Sequence, residues 1–159
     1  PSGLAQLERL ISCLPAPVLA VPGNHDRQLG LVRVRAAVER AGGIWLEQPY
    51  ALKGLILDGV CRSQAEPGSI LCAHEPIAFE AAARAGYALV LAGHLHGSQF
   101  VLGERGGLLY PGAWFYRWNG DRFQRGDCTM LVSRGVNDTL PIRWNCPREV
   151  LLCRFQPRS

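Results

Sequence analysis

Ala88-Leu89-Val90-Leu91-Ala92-Gly93-His94-Leu95-His96-Gly97 decides how this chain is read: five apolar residues run straight into two histidines bracketed by glycines. A short apolar run that ends at glycine predicts a buried strand feeding a tight loop. Glycine has no Cβ, so the backbone can turn sharply beside a bound ion. Along an extended chain, residues i and i+2 share a face, which lets His94 and His96 converge on one site. A surface His-x-His without a ligand fits the same residues, so the rest of the chain has to separate the two.

Working outward, the same pattern of strand, then loop, then chemistry recurs. Ser69 to Ala73 predicts a strand that ends in His74-Glu75-Pro76, followed by a short helix over Ile77 to Ala85. Val18 to Val21 predicts another, ending in Pro22-Gly23-Asn24-His25-Asp26. Leu4, Leu7, Leu10, Ile11 and Leu14 recur at helical spacing within Ser2 to Leu14, and Pro15 and Pro17 stop that helix. Leu29 to Ala41 predicts a second helix, stopped by Gly42-Gly43. Ile44 to Leu46 and Leu55 to Leu57 read as strands, Tyr50 to Lys53 as a further candidate, and Cys61 to Gly68 as loop. Beyond Gly97 the helical period vanishes. Strands are expected at Gln99 to Leu102, Leu108 to Tyr110, Trp114 to Trp118, Cys128 to Val132 and Val150 to Phe155. The fold class is therefore α/β, with a β-rich C-terminal half. No repeat or linker appears, so residues 1–159 read as one domain.

Composition narrows the function. Hydrophobic content is 48% and charged content 19%, as in an ordinary soluble domain. The net charge is +4, and 16 of the 17 basic residues are arginine, but no basic run is interleaved with aromatics. Specific nucleic-acid binding is not expected. No apolar run is long enough to span a membrane, and no signal peptide is visible. The location is expected to be cytoplasmic or peripheral to a membrane. The six cysteines contain no C-x-x-C pair and read as free thiols in a reducing compartment.

All four histidines of the chain, His25, His74, His94 and His96, fall immediately after three predicted strands. If those strands lie parallel in one sheet, their loops meet at one edge, where α/β folds place their sites. Val21-Pro22-Gly23-Asn24-His25-Asp26, the strand before His74, and Gly93-His94-Leu95-His96 resemble the second half of the calcineurin-like metallophosphoesterase motif series. Val132-Ser133-Arg134-Gly135 and Leu140-Pro141-Ile142-Arg143-Trp144-Asn145-Cys146-Pro147 extend the resemblance to a bacterial subgroup of that family. The resemblance implies a metallophosphoesterase-type α/β/β/α layered sandwich. It implies that Asn24, His74 and His94 ligate one divalent ion (Mn, Fe or Zn), that His96 ligates a second, and that His25 is catalytic. Asp26 then orients the loop or His25. The implied substrate is a phosphate ester (phosphodiester, phosphomonoester or pyrophosphate), with a nucleotide-linked lipid precursor among the candidates. Two ions about 3.5–4 Å apart would polarise a phosphoryl group and activate water.

The family also needs Asp-x-His and Gly-Asp-x-x-Asp, and neither exists here. Gln124 stands where the second aspartate after Gly120-Asp121 would be, and no aspartate lies two residues before a histidine. Without a bridging carboxylate, two dications repel four times as strongly as two unit charges at the same separation. The chain is thus expected to be the C-terminal portion of a longer domain, with an incomplete first metal position. It is expected to be inactive by itself and to expose a hydrophobic edge or gap. A non-catalytic binding or scaffold module is the alternative. Trp114, Tyr116 and Trp118 read as core packing or a substrate lid, Arg134 and Arg143 as structural pairs or phosphate clamps. Ser98 and Gln99 read as turn residues or substrate contacts.

Overall fold

A computed structural model describes residues 3–156 of the chain. Helix α1 (Gly3–Cys13) buries Ile11, as its apolar spacing requires; Ser2 of the predicted helix lies outside the described residues. After it comes β1 (Leu19–Ala20). The helix expected over Leu29 to Ala41 is α3 (Leu31–Arg40); ahead of it stands a helix that was not expected, α2 (Asn24–Leu29), parted from α3 at Gly30, whose φ of 91° suits glycine. The Gly-Asn-His-Asp stretch is therefore a helix start rather than an open loop. α3 buries Val34, Ala37 and Val38, and its Arg40 pairs with Glu8 of α1 at 2.5 Å. Gly43 then lets the chain pass Val38, since a Cβ there would sit 2.8 Å from Val38 Cγ1. It leads into β2 (Ile44–Trp45), which runs parallel to β1.

The remaining elements are β3 (Tyr50–Leu52), β4 (Leu55–Asp58), β5 (Ile70–Cys72), α4 (Phe79–Ala85), β6 (Leu89–Ala92), β7 (Val101–Arg105), β8 (Leu108–Pro111), β9 (Arg122–Arg125) and β10 (Cys128–Val132). Six of the strands form one sheet in the order β3-β4-β5-β6-β10-β9. Its four central strands are parallel, and its two edges, β3 and β9, pair antiparallel. The architecture is mixed α/β with a mostly parallel sheet. Alternation along β6 and β10 sends Val90, Ala92, Cys128, Met130 and Val132 to one face, where they meet Phe79 and Ala82 of α4 and Tyr87. Truncating Phe79, 1% exposed, to alanine would cost about 3–5 kcal/mol. Leu89, Leu91 and Leu131, on the opposite face, are only half-buried.

Two expected strands fail for local reasons. Trp114 to Trp118 is not a strand: Gly112 O accepts from both Phe115 N–H and Tyr116 N–H, coiling the segment into a 3₁₀ turn. Trp114 and Tyr116 stay 72% and 52% exposed, while Trp118 turns inward against Phe79 and Phe123. Val150 to Phe155 forms no strand, because nothing pairs with it, and Val150 is 82% exposed. Conversely, β9 has little apolar signal beyond Phe123 and exists through its ladder with β10. The β7–β8 hairpin closes on Gly106-Gly107, both at positive φ, as a two-residue turn between twisted strands demands. No helix of the described residues is long and apolar enough to cross a membrane.

Candidate metal centre

The site is assembled where strands end. β5 and β6 are parallel neighbours, so His74 and His94 leave the same edge of the sheet. Gly93 N–H donates to His74 O at 3.1 Å, and Ser133 N–H donates to Ala92 O at 2.8 Å, stitching three strand ends together. β1 does not belong to this sheet, contrary to the expectation that all three strands share one. It pairs only with β2, and α2 carries Asn24 across to His74. Gly23 makes the approach possible: a Cβ there would lie 3.2 Å from His74 Cε1. Asp26 Oδ2 accepts the Gly23 N–H at 2.7 Å and so fixes the turn from which Asn24 and His25 project.

Two side chains converge on one ring nitrogen. Asn24 Oδ1 lies 2.7 Å and His94 Nδ1 3.0 Å from His74 Nε2, with the two imidazoles 4.8 Å apart and inclined at 66°. One imidazole nitrogen carries one proton or one lone pair, so it cannot serve both neighbours well by hydrogen bonding. Neighbouring donors in an octahedral shell with bonds of about 2.1 Å stand about 3.0 Å apart. The two separations at His74 Nε2 are therefore close to the edge lengths of a divalent-ion shell. Burial lowers the His74 pKa from its ordinary 6.5, and the adjacent His94 adds to the effect, which keeps the ring neutral and its lone pair available.

His25 is exposed on the first turn of α2, at the lip of the cavity, and its ring makes no hydrogen bond among the described residues. His96 is placed differently from His94. Its Nδ1 is buried without a hydrogen-bond partner, and no bond joins it to the Asn24–His74–His94 cluster. Burial is again the main cause lowering its pKa, with Arg143 next. All four histidines line one cavity of about 710 Å³, together with Asp26, Tyr116 and Leu140 among others. Among the described residues no lysine or arginine lines it, and Asp26 is its one carboxylate.

The loop carrying these histidines is strained. His94, His96, Ser98 and Gln99 all have φ between 52° and 71°. A left-handed L-residue costs roughly 1–2 kcal/mol, so neighbouring structure must impose the turn. Residues 133–149 do so. Arg143 reaches Asp138 at 2.5 Å and the carbonyls of Arg134 and Asn137, while Arg134 pairs with Asp121. Both arginines are structural and leave no clamp for phosphate. Gly97 lies against Cys146, whose Sγ–H donates to His96 O at 3.2 Å. Ser98 Oγ donates to Asn119 Oδ1, and Gln99 is buried with its side-chain amide bonded to backbone. The clasping roles of Gln99 and Cys146 escaped the sequence, where a polar residue after a glycine and a cysteine beside proline carry no periodic signal. All six cysteines are unpaired.

Among the described residues no three His, Cys, Asp or Glu side chains converge to hold a metal ion; the third donor here is Asn24. No protein-family model, no curated protein and no solved structure matches the chain.

Proposed function

We propose that this chain carries the metal-binding part of a calcineurin-like, metal-dependent phosphoesterase acting on a phosphodiester, phosphomonoester or pyrophosphate bond. In this reading its layers belong to an α/β/β/α sandwich. The observation that supports it most is the approach of Asn24 Oδ1 and His94 Nδ1 to His74 Nε2, at 2.7 and 3.0 Å. A divalent ion held there (Mn, Fe or Zn) supplies a Lewis acid and a water acidified toward neutrality. The second ion of the family's pair does not fit the described residues: His96 is its sole candidate ligand, and Asp26 already accepts the Gly23 N–H.

The chain's own groups then divide the work. Asn24, His74 and His94 bind and orient. His25, exposed at the cavity lip, would give a proton to a departing alkoxide. Asp26 positions His25 by holding the turn. Tyr116, Leu140 and Leu95 offer apolar surface beside the ester, which suits a nucleotide-linked lipid precursor as one candidate substrate.

The lack of a free carboxylate or cationic side chain in the cavity favours a second reading, a binding module without hydrolysis. Hydrolysis of bis(4-nitrophenyl) phosphate with Mn²⁺ by the protein in its complete form, lost in His94→Ala, is the expected result. Activity unchanged in His94→Ala would sink the metal assignment. Mn²⁺ binding without turnover would establish the second reading.

A further inference from the structure

We propose that Gln99 is a positioning residue: its side-chain amide docks residues 139–142 onto the left-handed His94–Gln99 turn and thereby aims His96 into the cavity. The inference deepens the metal-site reading and rests on it for the meaning of His96. Gln99 is 4% exposed and uses all of its hydrogen-bonding capacity. Its Oε1 accepts from the Thr139 and Leu140 N–H groups, both at 2.9 Å, and its Nε2 donates to Leu140 O at 2.6 Å and Ile142 O at 3.0 Å. Its backbone is tied as well: Trp144 N–H donates to Gln99 O at 2.8 Å, and Val101 N–H to Trp144 O at 2.9 Å.

Four side chains in the turn adopt a backbone that L-residues avoid, so the turn lasts only while its surroundings impose it. Gln99 is the one residue whose side chain grips the opposing segment from within that turn. The same segment supplies Thr139 and Leu140 to the cavity wall. One buried amide thus sets two walls together, the His96 side and the wall facing it. Without it, two backbone N–H groups and two carbonyls lose their partners, and the turn that carries His96 loses one of its supports.

The test uses the metal-free chain. Gln99→Met keeps the side-chain volume and removes every polar contact. Long-range ¹H–¹⁵N spectra report the four imidazoles, with His96 assigned through His96→Gln. The expected result is displaced His96 ring signals and at least tenfold faster exchange of the Thr139 and Leu140 amides, with His74, His94 and the β6 amides unchanged. His96 signals that stay in place in folded Gln99→Met overturn the proposal. So does a joint change of all four histidines and the β6 amides, which marks general loosening. If Gln99→Met does not fold, Gln99→Glu, which can keep the acceptor contacts but sets an oxygen against the Leu140 and Ile142 carbonyls, is read by the same criteria. Because no metal is present, failure here leaves the binding role of Asn24, His74 and His94 intact. A failure of Mn²⁺ to bind them leaves this result intact in turn.

Discussion

His94 and His96 sit two residues apart on one loop, yet they occupy opposite kinds of environment. His94 meets His74 and, through it, Asn24, in a cluster whose donors compete for a single ring nitrogen. His96 is propped from behind by Cys146, Gln99 and the Arg143 network, and its Nδ1 has no partner. The first corner brings two neighbours to one ring nitrogen and is poorly satisfied by hydrogen bonding alone. The second is firmly held by protein but offers one donor. Closeness in sequence does not make two ligands equivalent; what matters is which other strand ends arrive beside each.

Breaking the support of the His96 corner should have the largest effect on the fold. Arg143→Ala leaves Asp138 to Arg148 alone and strips the Arg134 and Asn137 carbonyls of their donor, the Arg143–Asp138 pair being 9% and 10% exposed, and should lower the thermal midpoint by about 5–10 °C. Differential scanning calorimetry measures this; a shift under one degree would mean that the strap is not held there. At the other corner, His94→Ala or His74→Ala should weaken Mn²⁺ binding about 100-fold or more by isothermal titration, with the fold retained. His96→Gln should change that same affinity by less than about threefold, since His96 stands outside the cluster. A large loss in His96→Gln would erase the contrast between the corners.

Both corners share a pH response. Burial holds the His74 and His96 pKa values below 6.5, so above that value folded and unfolded states are equally deprotonated at these rings. As pH falls below about 6.5, the unfolded chain takes up protons first, and stability is lost until the folded rings protonate too. The metal-free chain should therefore melt at lower temperature at pH 5 than at pH 7.5, a difference reduced in His74→Gln. The smallest effect belongs to the exposed aromatic turn. Trp114→Ser should change stability by no more than about 0.5 kcal/mol by urea titration, since Trp114 is 72% exposed. A larger cost would restore the core role that its alternation with Tyr116 and Trp118 suggested.

Much of the central sheet was legible in the sequence. β5, β6 and β10 are dense apolar runs, and a strand buried on at least one face must be apolar to repay its desolvated backbone. α1 and α3 showed through helical spacing, which follows from one buried face. The meeting of His74 and His94 at one sheet edge was legible because glycine and histidine punctuate the ends of two apolar runs. β9 and the turn at Trp114 were not. β9 is polar and borrows its conformation from β10, whereas the aromatic alternation at Trp114 to Trp118 imitates a strand but is coiled by the two hydrogen bonds to Gly112 O.

Sequence alone determined that His25, His74, His94 and His96 would follow strands, because apolar runs and glycines act locally. It also determined that no Asp-x-His or Gly-Asp-x-x-Asp could supply a bridging carboxylate. Only the tertiary structure decided that β1 leaves the main sheet while Asn24 still reaches His74. It alone separated His94 from His96 and turned Gln99 into a buried clasp. Those outcomes depend on which segments, 40 or 50 residues apart in the chain, come within hydrogen-bonding distance, and no local pattern encodes that meeting.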